Sequence, residues 1–352
     1  MKDNGEPCET GGEIVDRWAD FFCAMEGGTR MDATQQREHW LQGLQELQAP
    51  SFELSITDLP TLFDLESAFR HVKCGKATGH DLVPSEICHH FPTVMAHASY
   101  TQLAKLCLHG QECLLHKGGK LVTSYKKGPR ASCSSYRSLL ISSHIGKTLH
   151  RTLRQSQCTL YQNYMQTQQL GGRSKTPVGF ASHMCRAHQR IQATRKRCSG
   201  FIFLDLTEAY YRVLRPLVLG NTWTDELIAK MADRLGLGDD ALHDLRRHLC
   251  DPHSLDRAGL PAHHQRYLRA LHVDTFFYVD HQTDICRTEI GSRPGDSFAD
   301  VVFGYLWARL LKSLEEQLAE AGMLTSIPQV THKGLTAQLE QSTQPFLGPT
   351  LV

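Results

Sequence analysis

One hundred consecutive residues, 101–200, constrain the fold most, because they contain 17 Lys and Arg residues and a single acid, Glu112. This block has a formal charge of +16, whereas the remaining 21 bases and 36 acids give the rest of the chain −15. Such a block, with His, Tyr and Gln residues between the bases, is typical of a surface that binds polyanions. We expect that surface to bind a polyanion, and nucleic acid or nucleotide phosphate is the favoured partner class. The alternative is a solvated basic face that the acidic remainder of the chain balances.

Composition and cysteine usage exclude several classes of protein. The chain of 352 residues, 41% hydrophobic, is long enough for a large core and for more than one domain. No apolar run approaches the length of a membrane span, and the first residues, MKDNGEPCETGG, are polar. Twelve Cys residues without a CxxC pair predict reduced thiols, and the pairs His89-His90 and His263-His264 lie in no ligand-spaced cluster. We therefore expect an intracellular protein of the nucleus or cytoplasm, neither secreted nor transmembrane.

Hydrophobic periodicity predicts helices and strands without regular βα alternation, which favours an α+β fold. Helices are predicted at 11–48 (two), 58–74, 84–109 (two), 145–155, 177–196, 223–235, 239–249, 261–271 and about 296–322. KLVTSYKK (120–127) alternates like a strand, while TFFYVD (275–280) and DICRTEI (284–290) predict a hairpin. The last residues, 323–352, have weak periodicity and several turn formers, which predicts a loosely ordered tail.

The stretch SGFIFLDLTEAYYRV, residues 199–213, predicts a buried strand, Phe201–Leu204, that ends in a carboxylate, Asp205, before a helix. An isolated buried carboxylate is costly, so such a residue caps a helix, pairs with a base or holds a metal. The stretch by itself leaves a cap on the helix TEAYYRV and a metal ligand both open.

Five segments, in order, resemble blocks of the reverse transcriptases of non-LTR retrotransposons. KCGKATGHDLVPSEI (73–87), SYKKGPRASCSSYRSLLISSHIGK (124–147) and QLGGRSKTPVGFA (169–181) resemble successive fingers blocks. FIFLDLTEAYYRV resembles the family's first catalytic motif, and GSRPGDSFADVVFGYLWARL (291–310) resembles its glycine-rich turn and following helix. The resemblance covers about residues 60–322. It implies a right-hand polymerase with a helical N-terminal extension (1–60), basic fingers (61–199), a partial palm of antiparallel sheet and packed helices (200–322) and a tail (323–352).

The resemblance implies RNA-templated DNA synthesis from dNTPs, with Mg²⁺ as cofactor and an RNA or DNA template–primer as partner. It makes Asp205 catalytic and assigns Mg²⁺ to Asp205 and the Leu206 carbonyl, since Mg²⁺ prefers oxygen ligands. The nucleotide contacts that it implies are Lys126, Lys127, Arg137, Tyr210 and Gly295, and the nucleic-acid contacts are Arg173 and Pro294. For Lys126, Lys127 and Arg137 the alternative is a solvated basic loop. For Tyr210 the alternative is ordinary core packing. The strand that ends at Asp205 is expected to pair with the predicted hairpin.

Departures from the family pattern bear on activity. The family's second catalytic box, aromatic-x-Asp-Asp, should follow the glycine-rich turn, but the sequence has no Asp after Asp300. FYVDH (277–281) and LGDD (237–240) come too early, the first as a hairpin arm and the second as an acid-capped helix start. Ser138, Tyr211 and Pro294 replace the Pro, Asp and Gln that the family commonly has.

One carboxylate site leaves the two-metal clamp incomplete, so we expect the fingers and first half of a palm without catalytic activity. Two alternatives remain open. The first is a nucleic-acid-binding remnant without catalysis, and the second is a decayed product without function.

Overall fold

A computed structural model describes residues 6–46, 52–166, 169–173, 176–201, 203, 205–220, 224–323, 325–328 and 343–346. Backbone contacts divide the chain into two units, one of residues up to 159 together with 208–303, and one of residues 160–207 together with those from 304 onward. Within the described residues, thirteen α-helices and a five-stranded mixed sheet give an α+β architecture, which confirms the predicted class.

Two capped helices begin the first unit. The hydroxyl of Thr10 accepts a hydrogen bond at the start of α1, Gly11–Met25. Asp32 forms a capping box at the start of α2, Ala33–Gln45. A glycine-containing turn between the helices leads into β1, Thr29–Met31. The two predicted N-terminal helices are confirmed.

The remaining elements follow in chain order. The middle of the chain contains α3 (Leu62–Arg70), α4 (Ser85–His90), α5 (Pro92–His109), β2 (Gly118–Tyr125), β3 (Tyr136–Ser142), α6 (His144–Tyr164) and α7 (Val178–Thr194). The later part contains α8 (Arg215–Leu219), α9 (Asp225–Leu235), α10 (Asp239–Cys250), α11 (Ser254–Arg257), α12 (Ala262–His272), β4 (Phe276–Val279), β5 (Ile285–Arg287), α13 (Ala299–Glu320), β6 (Thr325–Pro328) and β7 (Thr343–Phe346).

Two details of these elements differ from expectation. The N-cap of α10 is Gly238, so Asp239 and Asp240 lie in the first turn, where acids favour the positive end of the helix dipole, and not at the cap. Within the segment 323–352, where we predicted a loosely ordered tail, β6 and β7 pair antiparallel.

The five-stranded sheet has the order β1-β5-β4-β2-β3. β4 and β5 pair antiparallel, which confirms the hairpin predicted from TFFYVD and DICRTEI. β1 pairs antiparallel with the other edge of β5, and β2 pairs parallel with the other edge of β4. β2 and β3 form a long antiparallel pair that ends at Tyr125↔Tyr136. Both edges of the predicted hairpin are therefore occupied.

α1 packs on one face of this sheet. Phe22 of the helix joins Leu121 of β2, Phe277 of β4 and Cys286 of β5 in one buried cluster. Burial of large apolar side chains is the main favourable contribution to folding. The segment 1–60, which the resemblance treats as an extension, thus supplies a helix and a strand to the sheet of this unit.

The prediction of a strand at Phe201–Leu204 is wrong for the residues that the structure describes there. Phe201, Phe203, Asp205 and Leu206 lie in neither strand nor helix, while 202 and 204 are outside the described residues. Phe203 is 89% exposed. A strand needs a neighbour for its backbone groups, and the expected partners, β4 and β5, pair with β2 and β1 instead.

The helix predicted at TEAYYRV is also shorter than expected. It is a single 3₁₀ turn, Ala209–Arg212, whose N-cap is Glu208. Asp205 is therefore not its cap.

None of the helices in the described part of the chain combines the length and the apolarity that crossing a bilayer requires.

The sheet register predicts different costs for truncating two leucines on neighbouring strands. Leu121 is 4% exposed within the cluster under α1, whereas Leu139 is 53% exposed on the opposite face. We expect Leu121→Ala to lower the free energy of unfolding by about 2–5 kcal/mol because it leaves a cavity. The control, Leu139→Ala, should cost about 0.5 kcal/mol or less. Urea denaturation followed by circular dichroism measures both, and equal effects would contradict the register.

Candidate functional site

Four basic side chains lie at one end of the β2–β3 hairpin. Lys126, Lys127 and Arg130 belong to the connecting loop, and Arg137 lies on β3 opposite Ser124. All four are exposed. The three residues that the resemblance assigns to nucleotide phosphate, Lys126, Lys127 and Arg137, are thus on one short hairpin, as their spacing on either side of a turn allows.

The loop at this end is held by its own hydrogen bonds. The Lys126 amide donates to the Ser135 carbonyl at 2.8 Å, which continues the strand ladder past β2. The hydroxyl of Tyr125 donates to the Gly128 carbonyl at 2.8 Å, and that of Tyr136 to the Arg130 carbonyl at 3.0 Å. The Arg130 guanidinium lies 5.4 Å from the centre of the Tyr125 ring, within cation–π range. The bases are therefore presented on an ordered loop, which lowers the entropy cost of binding.

Glu112, the single acid of residues 101–200, does not offset these bases, because it is buried between two histidines. Its Oε1 atom lies 3.0 Å from His116 Nδ1 and its Oε2 atom 3.4 Å from His150 Nε2. The sequence contains no Asp or Glu from 113 to 204. The exposed bases of the block consequently face solvent without a carboxylate of their own segment.

His150 continues this buried network to the glycine-rich turn. Its Nδ1 atom lies 3.2 Å from the Asp296 carboxylate, which in turn lies 3.4 Å from Arg293 Nη1. Arg293 also donates to the carbonyls of Leu271 and His116. The network therefore joins the segment after α5, helix α6 and the turn before α13.

Mutual pairing controls the ionisation of this network. Burial disfavours the charged form of His150, but the neighbouring Asp296 and Glu112 carboxylates outweigh burial and raise its pKa to about 9. Burial likewise opposes ionisation of Glu112, yet the hydrogen bond with His116 and the neighbouring charge of His150 hold its pKa well below the usual range. The charges of His150 and Arg293 do the same for the pKa of the Asp296 carboxyl against its burial. The arrangement is an alternation of negative and positive groups.

A second buried base, Arg215, joins the open end of the β4–β5 hairpin to the start of the glycine-rich turn. Its guanidinium donates to the carbonyls of Gly291, His272, Thr288 and Ile290 and to the hydroxyls of Thr275 and Thr288. Complete burial lowers its pKa to about 9. Arg215 is therefore a structural cation that satisfies backbone carbonyls.

The glycine-rich turn lies against the backbone of β3. Gly295 has a φ of +104°, and a Cβ atom there would lie 2.9 Å from the Leu140 carbonyl oxygen. Both facts require glycine at this position. The neighbouring Pro294 lines a small cavity of about 10 Å³ together with Ser138 of β3. The close approach that Gly295 permits is thus to the protein's own strand.

Tyr210 contacts the same turn. Its carbonyl accepts a hydrogen bond of 2.7 Å from the Ser292 amide, and its ring lies 5.2 Å from that of Phe303. Burial and then the nearby Asp300 carboxylate raise the pKa of its phenol. Two of the segments that resemble the family, 201–213 and 291–310, are therefore in contact here, and Tyr210 has the packing expected of the core alternative.

Two of the departures from the family pattern contact each other. The Tyr211 hydroxyl, where the family has Asp, is hydrogen-bonded to the Ser138 hydroxyl, where the family has Pro. It also donates to the Ser138 carbonyl at 3.3 Å. These positions are 73 residues apart in sequence.

The other expected site residues belong to the second unit. Asp205 is exposed, and Leu206 is 48% exposed. Arg173 donates to the carbonyls of Gln169, Met165 and Gln166. Its guanidinium therefore satisfies backbone carbonyls at the end of α6 and in the segment that follows. Over the described ranges, no group of three or more His, Cys, Asp or Glu side chains is placed to hold a metal ion.

The sequence reasoning missed the buried network entirely. Glu112, His116, His150, Arg293 and Asp296 are distant along the chain and follow no period. The sequence contained one signal. Glu112 is the single acid in a strongly basic block, so basic side chains close to it in sequence can pair with its carboxylate.

The sequence matches no protein-family model, and no curated protein matches it.

The buried network predicts a pH-dependent stability difference between the protein and a His150→Gln variant. The folded pKa of His150, about 9, is above its ordinary value of 6.5, so its stabilisation is complete below pH 6.5 and is lost as pH rises through 9. We expect the protein to be more stable than the variant at low pH, and the difference to shrink by about 3 kcal/mol across this window. Chemical denaturation at several pH values measures it.

His90, which is exposed on α4, provides the control. His90→Gln should change the free energy of unfolding little at any pH. A His150→Gln difference that stays constant, or grows, as pH rises would refute the charge alternation.

Proposed function

We propose that this chain binds single-stranded nucleic acid through the end of the β2–β3 hairpin and does not polymerise it. The observation that carries the proposal is the group of four exposed bases, Lys126, Lys127, Arg130 and Arg137, on an ordered loop within an acid-free segment. Neutralisation of phosphates by such bases releases counterions and drives nucleic-acid binding.

Aromatic side chains at the same place favour a single strand over a duplex. Tyr125 is 47% exposed and lies beneath Arg130, with Tyr136 beside it at a ring distance of 5.5 Å. Bases of a single strand stack on aromatic rings and arginine planes, and each stacked base contributes about 1–3 kcal/mol. A duplex keeps its bases stacked on one another and gains nothing from these rings.

We further propose that the hairpin is the fingers of a reverse-transcriptase-like fold. Support comes from the order of the resembling segments and from the contact between Tyr210 and the turn at Ser292. RNA-templated synthesis with Mg²⁺ is the activity of such enzymes. It requires carboxylates that hold two metal ions, and this sequence offers Asp205 but no aromatic-x-Asp-Asp box after the turn. Asp205 binds one Mg²⁺ weakly at most.

A decayed product without function is the competing proposal. The buried ionic network argues against it, because each partner of that network must be present for the others to be buried at tolerable cost. Cooperative unfolding distinguishes the two, since a folded chain of two units should show one or two sharp transitions and a decayed chain has no reason to show any.

Binding to a single-stranded oligonucleotide should weaken steeply with salt. If about six phosphates are neutralised, log affinity should fall against log salt with a slope of about −4. Changing Lys126, Lys127, Arg130 and Arg137 to Ala should reduce the slope to about −1, since each lost contact removes about 0.7. Fluorescence anisotropy over a salt series gives both values.

A charge-matched variant is the control for this experiment. It changes four exposed bases elsewhere in the first unit to Ala: Arg37, Lys73, Lys105 and Arg246. The control should keep most of the slope. A slope near zero for the protein, or equal losses in the two variants, would reject the hairpin as the binding surface.

The chain should show no dNTP incorporation on a primed RNA template with Mg²⁺, because one carboxylate is too few for a two-metal mechanism. Primer extension on a gel is the measurement, with an active reverse transcriptase as the positive control. Extension that Asp205→Asn abolishes would overturn the proposal.

A further inference from the structure

α7 has two faces that differ in burial and in charge. In a helix successive residues are rotated by about 100°, so residues 183, 186 and 190 lie within about 60° of one another. These residues are His183, Arg186 and Arg190, and all three are exposed. They form a stripe along one side of the helix, which we call the arginine stripe.

The opposite side of α7 faces the protein. Ala181 and Gln192 are buried, Cys185 and His188 are half-buried, and the His188 ring lies 6.1 Å from that of Phe201. These positions are centred about 180° from the arginine stripe on the helix circumference. The helix is therefore oriented by its inner face, and the stripe points to solvent.

The charge of the stripe is not compensated along the chain. No Asp or Glu occurs from 113 to 204, so α7 and the turns on either side of it carry bases alone. Isolated like charges along a helix face are destabilising, and an anionic partner removes that repulsion. Charge complementarity thus identifies a polyanion as the occupant of this face.

The shape of the surface selects among polyanions. An α-helix with its side chains is about 10–12 Å across and enters the major groove of B-form DNA, which is about 12 Å wide. The major groove of duplex RNA is too deep and narrow for such entry. The stripe offers only the imidazole of His183 for stacking a single strand, whereas the β2–β3 hairpin offers the rings of Tyr125 and Tyr136.

We propose that the arginine stripe of α7 binds double-stranded B-form DNA through phosphate contacts of Arg186 and Arg190. This is a second nucleic-acid surface, in a different unit of the chain and for a different partner from the hairpin. The bound helix follows the major groove with its inner face against the protein. The contacts are to the backbone, so they carry little sequence preference.

The test measures binding of the full chain to three probes by fluorescence anisotropy over a salt series. The probes are a DNA duplex of about 20 base pairs, which is two helical turns, the corresponding RNA duplex and the DNA single strand. Arg186→Gln with Arg190→Gln should weaken binding to the DNA duplex about tenfold and reduce its salt slope by about 2. Binding to the single strand, which depends on the hairpin, should change less than about twofold.

A matched control removes the same charge next to the stripe. Arg195→Gln with Lys196→Gln changes two exposed bases that follow the end of α7. This control should weaken DNA-duplex binding less than about threefold. Equal losses in the two double variants would mean a bulk charge effect and would overturn the proposal. Binding of the RNA duplex as tight as that of the DNA duplex would overturn it as well.

A measurement on the unaltered protein covers the case in which the double variant fails to fold. Hydrogen exchange of the α7 amides should slow on addition of the DNA duplex, because a bound helix opens less often. Unchanged exchange in α7 at saturating duplex would reject the proposal. The hairpin variant separates the two surfaces, since it should lose single-strand binding and keep the effect of duplex on α7.

Discussion

The buried alternation of charges that runs from Glu112 through His150 and Asp296 to Arg293 is the interaction on which the first unit depends. Each of these groups is costly to bury alone, and each is compensated by the next, at distances of 3.2–3.4 Å. Three segments far apart in sequence must therefore be in place together. Loss of one member leaves an unpaired charge in the interior, which costs more than the loss of a surface pair.

The same network determines how charge is distributed between interior and surface. By burying Glu112 with two histidines, the chain removes from its surface the one acid of residues 101–200. Lys117 is buried as well, and its ammonium donates to the carbonyls of Ala270 and Val273. The exposed bases of the hairpin and of α7 are among those that remain at the surface. A net charge of +1 for the whole chain thus coexists with surfaces that are locally basic.

Local pattern predicted most helices and the β4–β5 hairpin, because their periodicity and turn residues lie within a few residues of one another. Apart from that hairpin, it did not predict which strands pair. The parallel pairing of β2 with β4 joins residues more than 150 positions apart, and the pattern of residues 136–142 predicts no strand where β3 forms. Phe201–Leu204 has the composition of a strand, but composition does not supply a partner. For the candidate site, Lys126 and Arg137 could be placed together because a turn separates them, whereas the ionic network left no periodic trace.

Residues of the glycine-rich turn that resemble the family motif have structural roles in this chain, and these roles do not depend on a substrate. Gly295 is required by its φ and by the approach of Leu140, and Asp296 by its pairing with His150, so both residues have reasons to be present without a substrate. Under the proposed resemblance, residues assigned to nucleotide contact such as Arg137 and Tyr210 are retained, and two departures from the family pattern lie directly beside them. These departures are Tyr211 and Ser138, and their hydroxyls are hydrogen-bonded to each other. A Tyr hydroxyl in a half-buried site needs a hydrogen-bond partner, and Ser138 supplies it, so this pair has a packing reason to be present without a substrate.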